Sequence, residues 1–147
     1  VSIHLVSVGV VTVKLKHKQA YMRTAEVFSQ CSVGERLKVG AVIVKGNNIQ
    51  AVGYNGLPVG IDGPLEDENG ATRPEVRHAE INALFGVMKS NNSSIGSSVF
   101  CTHACCRKCA VEMVDAGIIE FYYQHDYRDS SGLSYLEDNG VKVHRMA

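Results

Sequence analysis

Two short clusters in this chain combine residue types that bind metal and move protons. His78-Ala79-Glu80 is one, and Cys106-Arg107-Lys108-Cys109 is the other. One imidazole and two thiolates make three zinc ligands. Zinc prefers four, so such a set leaves a position for water, which marks a catalytic rather than a structural ion. Two cysteines three apart at a helix start share a face, and a helix N-terminus favours their thiolate forms. Glu80 lies about 200° around an ideal helix from His78, so it is not expected as a neighbouring ligand. From a first turn it can instead reach the water as a general base, and later return the proton as an acid. Either cluster alone has other readings. Cys-x-x-Cys also serves redox chemistry and structural zinc, and His103 with Cys101, Cys105 and Cys106 could form a small zinc knuckle.

The flanking patterns predict elements that position both clusters. Residues 18–32 read as a helix, with Tyr21, Ala25 and Phe28 at helical spacing and Gly34 beyond its end. Residues 38–44 form a β-branched apolar run, expected as a central strand buried on both faces. Turn residues at 45–48 and a second strand over 49–54 complete a hairpin. Residues 55–77 hold all three prolines and the acidic run Glu66-Asp67-Glu68, with no periodicity. A loop of that length inside a compact domain is usually functional. A helix follows over 78–89, with Ile81, Leu84, Phe85 and Met88 as an apolar stripe. A strand at 99–102, a helix at 106–116 closed by Gly117, and a strand at 118–123 come next. A short helix over 133–138 and a last strand over 141–144 are weaker. The order αββαβαβ, then αβ, predicts a mixed sheet with helices on both faces.

The chain of 147 residues fits one domain. Residues 18–147 are expected to form it, with 1–17 as a leader or extra strand. The apolar stretch 1–13 is too short to span a bilayer and lacks the start and cleavage site of a signal peptide. Formal net charge is zero, which argues against a long polyanionic partner such as RNA. The five cysteines are odd in number and clustered. That is a poor disulfide framework and suggests a reducing, cytoplasmic compartment.

His-x-Glu followed by Cys-x-x-Cys is the arrangement of zinc nucleobase deaminases. His78-Ala79-Glu80-Ile81-Asn82-Ala83-Leu84 and Cys106-Arg107-Lys108-Cys109 resemble the cytidine deaminase superfamily. The stretches 39–44 (VGAVIV) and 53–60 (GYNGLPVG) narrow the resemblance to deoxycytidylate (dCMP) deaminases. The resemblance implies a three-layer α/β/α fold around a mixed five-stranded sheet, and zinc-dependent deamination of dCMP to dUMP, the precursor for dTMP synthesis. It implies His78, Cys106 and Cys109 as zinc ligands and Glu80 as the catalytic acid–base. The Ala79 N–H and Ala104 carbonyl would hold the base, Asn55 the sugar hydroxyl, and Tyr127 the phosphate. Lys89 stands about three turns beyond His78, where the family often has arginine for the phosphate. Lysine keeps the charge but loses the bidentate fork. Relatives are homo-oligomers, often hexamers, activated by dCTP with Mg²⁺ and inhibited by dTTP. Tyr54, Gly56, Leu57 and Gly60 match their effector loop. One departure is Cys105, which stands where the family usually has proline. It could compete with Cys106 for the ion, but only Cys106 keeps the spacing to Cys109. The insertion before His78 has no His or Cys, so a second zinc is not expected. A tRNA adenosine deaminase, a free-nucleoside cytidine deaminase and a structural zinc-binding module are the competing readings.

Overall fold

The computed structural model describes residues 13–147. The leader or extra strand expected over 1–17 falls mostly outside the described residues. Of that segment, residues 15–17 belong to α1, which runs Leu15–Ser29. Then follow β1 (Gly40–Lys45), β2 (Asn48–Tyr54), α2 (Ala79–Met88), β3 (Ser98–His103), α3 (Arg107–Asp115), β4 (Glu120–His125), α4 (Ser131–Asp138) and β5 (Lys142–Arg145). The five strands form one mixed sheet in the order β2-β1-β3-β4-β5. β1 is antiparallel to both β2 and β3, whereas β3, β4 and β5 run parallel.

β1 is an unbroken apolar run because it has no solvent face. Ala41 and Ile43 join the core beneath α2, α3 and α4. Val42 and Val44 join the opposite core, where Tyr21, Met22 and Ala25 of α1 pack with Phe100 and Tyr122. Side chains alternate across a strand, so a strand between two helical layers must be apolar at every position. The result is one helix on one face and three on the other, the three-layer architecture expected.

α2 departs from its sequence pattern in a way that matters for the site. Its buried residues are Ala79, Glu80, Ala83 and Val87. Ile81, Leu84 and Phe85 are only half-buried, and Met88 is 72% exposed. The bulky stripe that identifies the helix therefore is not its core face. Small residues face the sheet because α2 lies almost on the backbone of β2. A Cβ on Gly53 would stand 2.5 Å from both the Ala79 carbonyl oxygen and the Ala83 nitrogen. This contact sets the height of the α2 N-terminus above the sheet. Gly53→Ala should lower stability by about 1–3 kcal/mol through overpacking, read as a shifted urea midpoint with unchanged slope.

Candidate metal centre and active site

His78 and Cys106 occupy equivalent places. Each is the N-cap of its helix, in extended conformation: His78 at φ −71°, ψ 158° before α2, and Cys106 at φ −74°, ψ 164° before α3. Neither belongs to the helical series, so the angular offset expected between His78 and Glu80 does not apply. The two helices start side by side, and both N-termini face one point. The Cys106 sulfur takes the capping role of a serine oxygen, accepting from the Cys109 N–H at 3.4 Å.

The His78 Nδ1 lies 3.2 Å from the Cys109 sulfur and 3.4 Å from the Cys106 sulfur. The three ligand atoms all lie within 4.8 Å of one another. A tetrahedral zinc with ordinary bond lengths separates nitrogen and sulfur ligands by about 3.5 Å, so the residues fit such an ion. Cys105 is buried but outside this group, and burial pushes its thiol up. Among the described residues His103, Cys101, Cys105 and Cys106 do not gather into a knuckle.

Electrostatics favour one thiolate even before a cation arrives. The Cys109 thiol donates to Cys106, and with help from His78 this lowers Cys106 to about 4 despite partial burial. Cys109 is driven up for the complementary reason, because it is the donor to Cys106, and burial adds to this. His78 is raised chiefly by its hydrogen bond to Cys106, against desolvation. The pair thus loses one proton readily and keeps the second until a cation displaces it.

Glu80, in the first turn of α2, is 4% exposed. Burial raises its carboxyl above the usual range, opposed by its own N–H and by His78. A carboxyl raised in this way holds a proton more readily than a free one, as acid–base work requires. Glu80, Ala79, Ala104 and the two cap residues His78 and Cys106 line a cavity of about 460 Å³.

The walls come from distant segments. The long loop supplies Asn55, Leu65, Glu66, Thr72 and Val76. It is pinned by bridges between Gly56 and Arg77 and between Glu66 and Thr72. The Glu66 carboxylate accepts from the N–H groups of Glu35 and Arg36, tying in the segment after α1. The Asn55 side-chain oxygen accepts from the Val39 N–H and its nitrogen donates to the Leu37 carbonyl, so this residue braces the wall it belongs to. Tyr127 and Arg128 stand on the segment after β4, and Arg36 also lines the cavity.

Lys89 is not brought here. It caps the far end of α2, exposed, and does not line the cavity. The helix axis carries it about 16 Å from His78. Tyr54, Gly56, Leu57 and Gly60 also lie outside the cavity lining. The sequence reading missed Arg36, Arg128 and His125, and considered His103 only as part of a zinc knuckle. The two histidines pair in register at the C-terminal ends of parallel strands, with rings 5.0 Å apart. Burial, then His125, lowers His103. Ligands gather at such strand ends in α/β sheets, which was the available signal for the histidines. Arg128 adjoins Tyr127, but nothing local marks Arg36.

Residues 15–125 match the family described as the cytidine and deoxycytidylate deaminase zinc-binding region. The chain belongs to this family. Human deoxycytidylate deaminase is 32% identical over 126 residues, covering 79% of this chain and 69% of the human protein. ComE operon protein 2 of Bacillus subtilis is 30% identical over 139 residues, covering 90% of this chain and 72% of that protein. The crystal structure of dCMP deaminase from cyanophage S-TIM5, in complex with dCMP and dUMP, superposes with a TM-score of 0.89 at 45% identity. The alignment covers 91% of this chain and 99% of the phage chain. The chain is accordingly an enzyme of the zinc-dependent deaminase type.

Purified protein should carry one zinc per chain by metal analysis, retained in Cys105→Ser and lost in Cys106→Ser and Cys109→Ser. The raised carboxyl of Glu80 also has a sign. The folded chain holds that proton more tightly than the unfolded one, so folding stability falls as pH rises through the interval above the ordinary 4.5. Metal-free Glu80→Gln should therefore melt above metal-free wild type at pH 8, with the gap closing as pH falls toward that value. A gap independent of pH would refute the buried-carboxyl account.

Proposed function

We propose that the chain hydrolyses dCMP to dUMP, with His78, Cys106 and Cys109 holding one zinc and Glu80 as the catalytic acid–base. The observation that carries this reading is the composition of the cavity. A ligand cluster and a buried carboxyl stand in the same chamber as Arg36, Tyr127 and Arg128, cationic and phenolic groups suited to a 5′-phosphate. Likeness to the phage enzyme crystallised with dCMP and dUMP supports it.

Held by His78, Cys106 and Cys109, zinc would supply an acidified water as nucleophile near neutral pH. Glu80 takes the first proton of the water as its oxygen bonds to C4 and passes it to N3 of the cytosine; it then takes the second from the C4 hydroxyl and gives it to the departing amine, so that the C4–N bond breaks, ammonia leaves and the C4 carbonyl remains. The Ala79 N–H sits in the first turn of α2, where no intrahelical acceptor is available, and is free to donate to the base. The Ala104 carbonyl accepts from the amino group. Asn55 reaches the sugar hydroxyl with its second amide hydrogen. Arg36 and Arg128 take the charge-pairing role expected of Lys89, and their planar forks suit phosphate oxygens better than an ammonium does.

The reading extends to regulation and assembly. Tyr54, Gly56, Leu57 and Gly60 would hold dCTP with Mg²⁺ as activator or dTTP as inhibitor, outside the cavity and so without displacing substrate. The outward stripe of α2, Ile81, Leu84, Phe85 and Met88, would meet a second copy in a homo-oligomer, hexameric by resemblance. The dUMP formed would feed dTMP synthesis. Five free cysteines suit a cytoplasmic setting, and no helix among the described residues is long and apolar enough to cross a membrane.

A panel of dCMP, dCTP, deoxycytidine and a tRNA hairpin tests the substrate assignment. dCMP should give the highest kcat/KM. Arg128→Ala should raise KM for dCMP about tenfold or more, as loss of a charged phosphate contact does, and leave deoxycytidine unaffected. Preference for the nucleoside or the hairpin would overturn the reading, and no response of dCMP turnover to dCTP or dTTP would reject the regulation.

A further inference from the structure

α4 begins against the metal-ligand loop. An added Cβ on Gly132 would lie 2.2 Å from the Cys105 carbonyl oxygen and 2.8 Å from the carbonyl carbon and oxygen of Cys106. All three obstacles are backbone atoms, and none can swing aside. The Cys106 carbonyl is further fixed as the first acceptor of α3, bonded to the Ala110 N–H at 3.0 Å. Gly132 is not among the residues with positive φ, and it lies within a helix. Its backbone conformation therefore does not call for glycine, and alanine is the better helix former. What excludes a side chain is the approach to the loop. A second contact grips the same place: the Arg107 guanidinium, on the residue after Cys106, lies 5.1 Å over the Tyr135 ring of α4. The loop needs such support, because residue 105 is a cysteine and lacks the fixed φ of proline.

We infer that α4 is the fixed stop of the metal-ligand loop, and that Gly132 is a positioning residue that sets where the Cys106 thiolate stands relative to His78 and Cys109. This rests on those three residues holding zinc. A side chain at 132 pushes the Cys105–Cys106 backbone away and opens the ligand triangle, without touching the ion, the substrate or Glu80.

The test compares zinc affinity, by competition with a chromophoric chelator, and the absorption of the Co²⁺-substituted protein in wild type, Gly132→Ala and Leu136→Ala. Leu136 is fully buried in the same helix, so its truncation destabilises α4 without adding an atom at the loop. Gly132→Ala should bind zinc about tenfold or more weakly, as loss of support behind a ligand does, and shift the cobalt ligand-field bands. Leu136→Ala should melt at a lower temperature yet keep zinc affinity within about twofold and an unchanged cobalt spectrum. Equal affinity and spectrum in Gly132→Ala and wild type would overturn the inference, as would equal losses in the two variants. A Gly132→Ala protein that stays unfolded at saturating zinc would also overturn it, by assigning residue 132 to the core. If wild type itself binds no stoichiometric zinc, the metal reading fails instead.

Discussion

Two helices, α2 and α3, begin at one point in space, and each is capped by a side chain able to bind metal. A helix start carries unpaired N–H groups and about half a positive charge, which favours anions there. Here two starts converge, so the thiolate of Cys106 is stabilised first by the Cys109 thiol that donates to it, then by His78 and by the cap bond from the Cys109 N–H. An isolated negative charge that is half-buried would ordinarily be disfavoured, yet the local hydrogen bonds win and the thiol is lowered. Glu80, in the first turn of α2, has the opposite fate, because it is enclosed and desolvation outweighs the neighbouring imidazole. One convergence thus brings a ready ligand and a protonatable carboxyl, distant in the chain, into the same cavity.

That convergence constrains the packing around it. α2 must lie low on β2, which requires Gly53 beneath Ala79 and Ala83. α3 must start where α4 meets the loop, which leaves no room for a side chain at Gly132. Small residues therefore gather behind the centre, and the bulky apolar residues of α2 are displaced outward. Phe85 finds the guanidinium of Arg77 at 4.7 Å as a neighbour, while Met88 is left largely to solvent.

The cavity is assembled from segments that contribute locally different charge. The chain as a whole is neutral, yet Arg36 and Arg128 enter one chamber, and the acidic Glu66 that shares its lining is engaged by backbone. Glu66 is occupied with the N–H groups of Glu35 and Arg36, and Asp67 with those of Asn69 and Ala71. A neutral protein can in this way gather cationic side chains at one chamber without excess positive charge overall.

Residue type and spacing were enough to identify the metal ligands' clusters, the order of elements and the two-sided burial of β1, because each of these depends on neighbours within a few residues or on a strand's alternation. Three features lay beyond that range. Helical periodicity located α2 but not its buried face, since the face was chosen by the closeness of β2 and not by residue size. Counting turns from His78 pointed to Lys89, whereas Arg36 and Arg128, and not Lys89, line the cavity. And His78 and Cys106 stand as extended caps rather than helical residues, a difference of backbone angle that spacing cannot express. In each case the deciding contact joins segments far apart in the chain, and only their packing in three dimensions sets it.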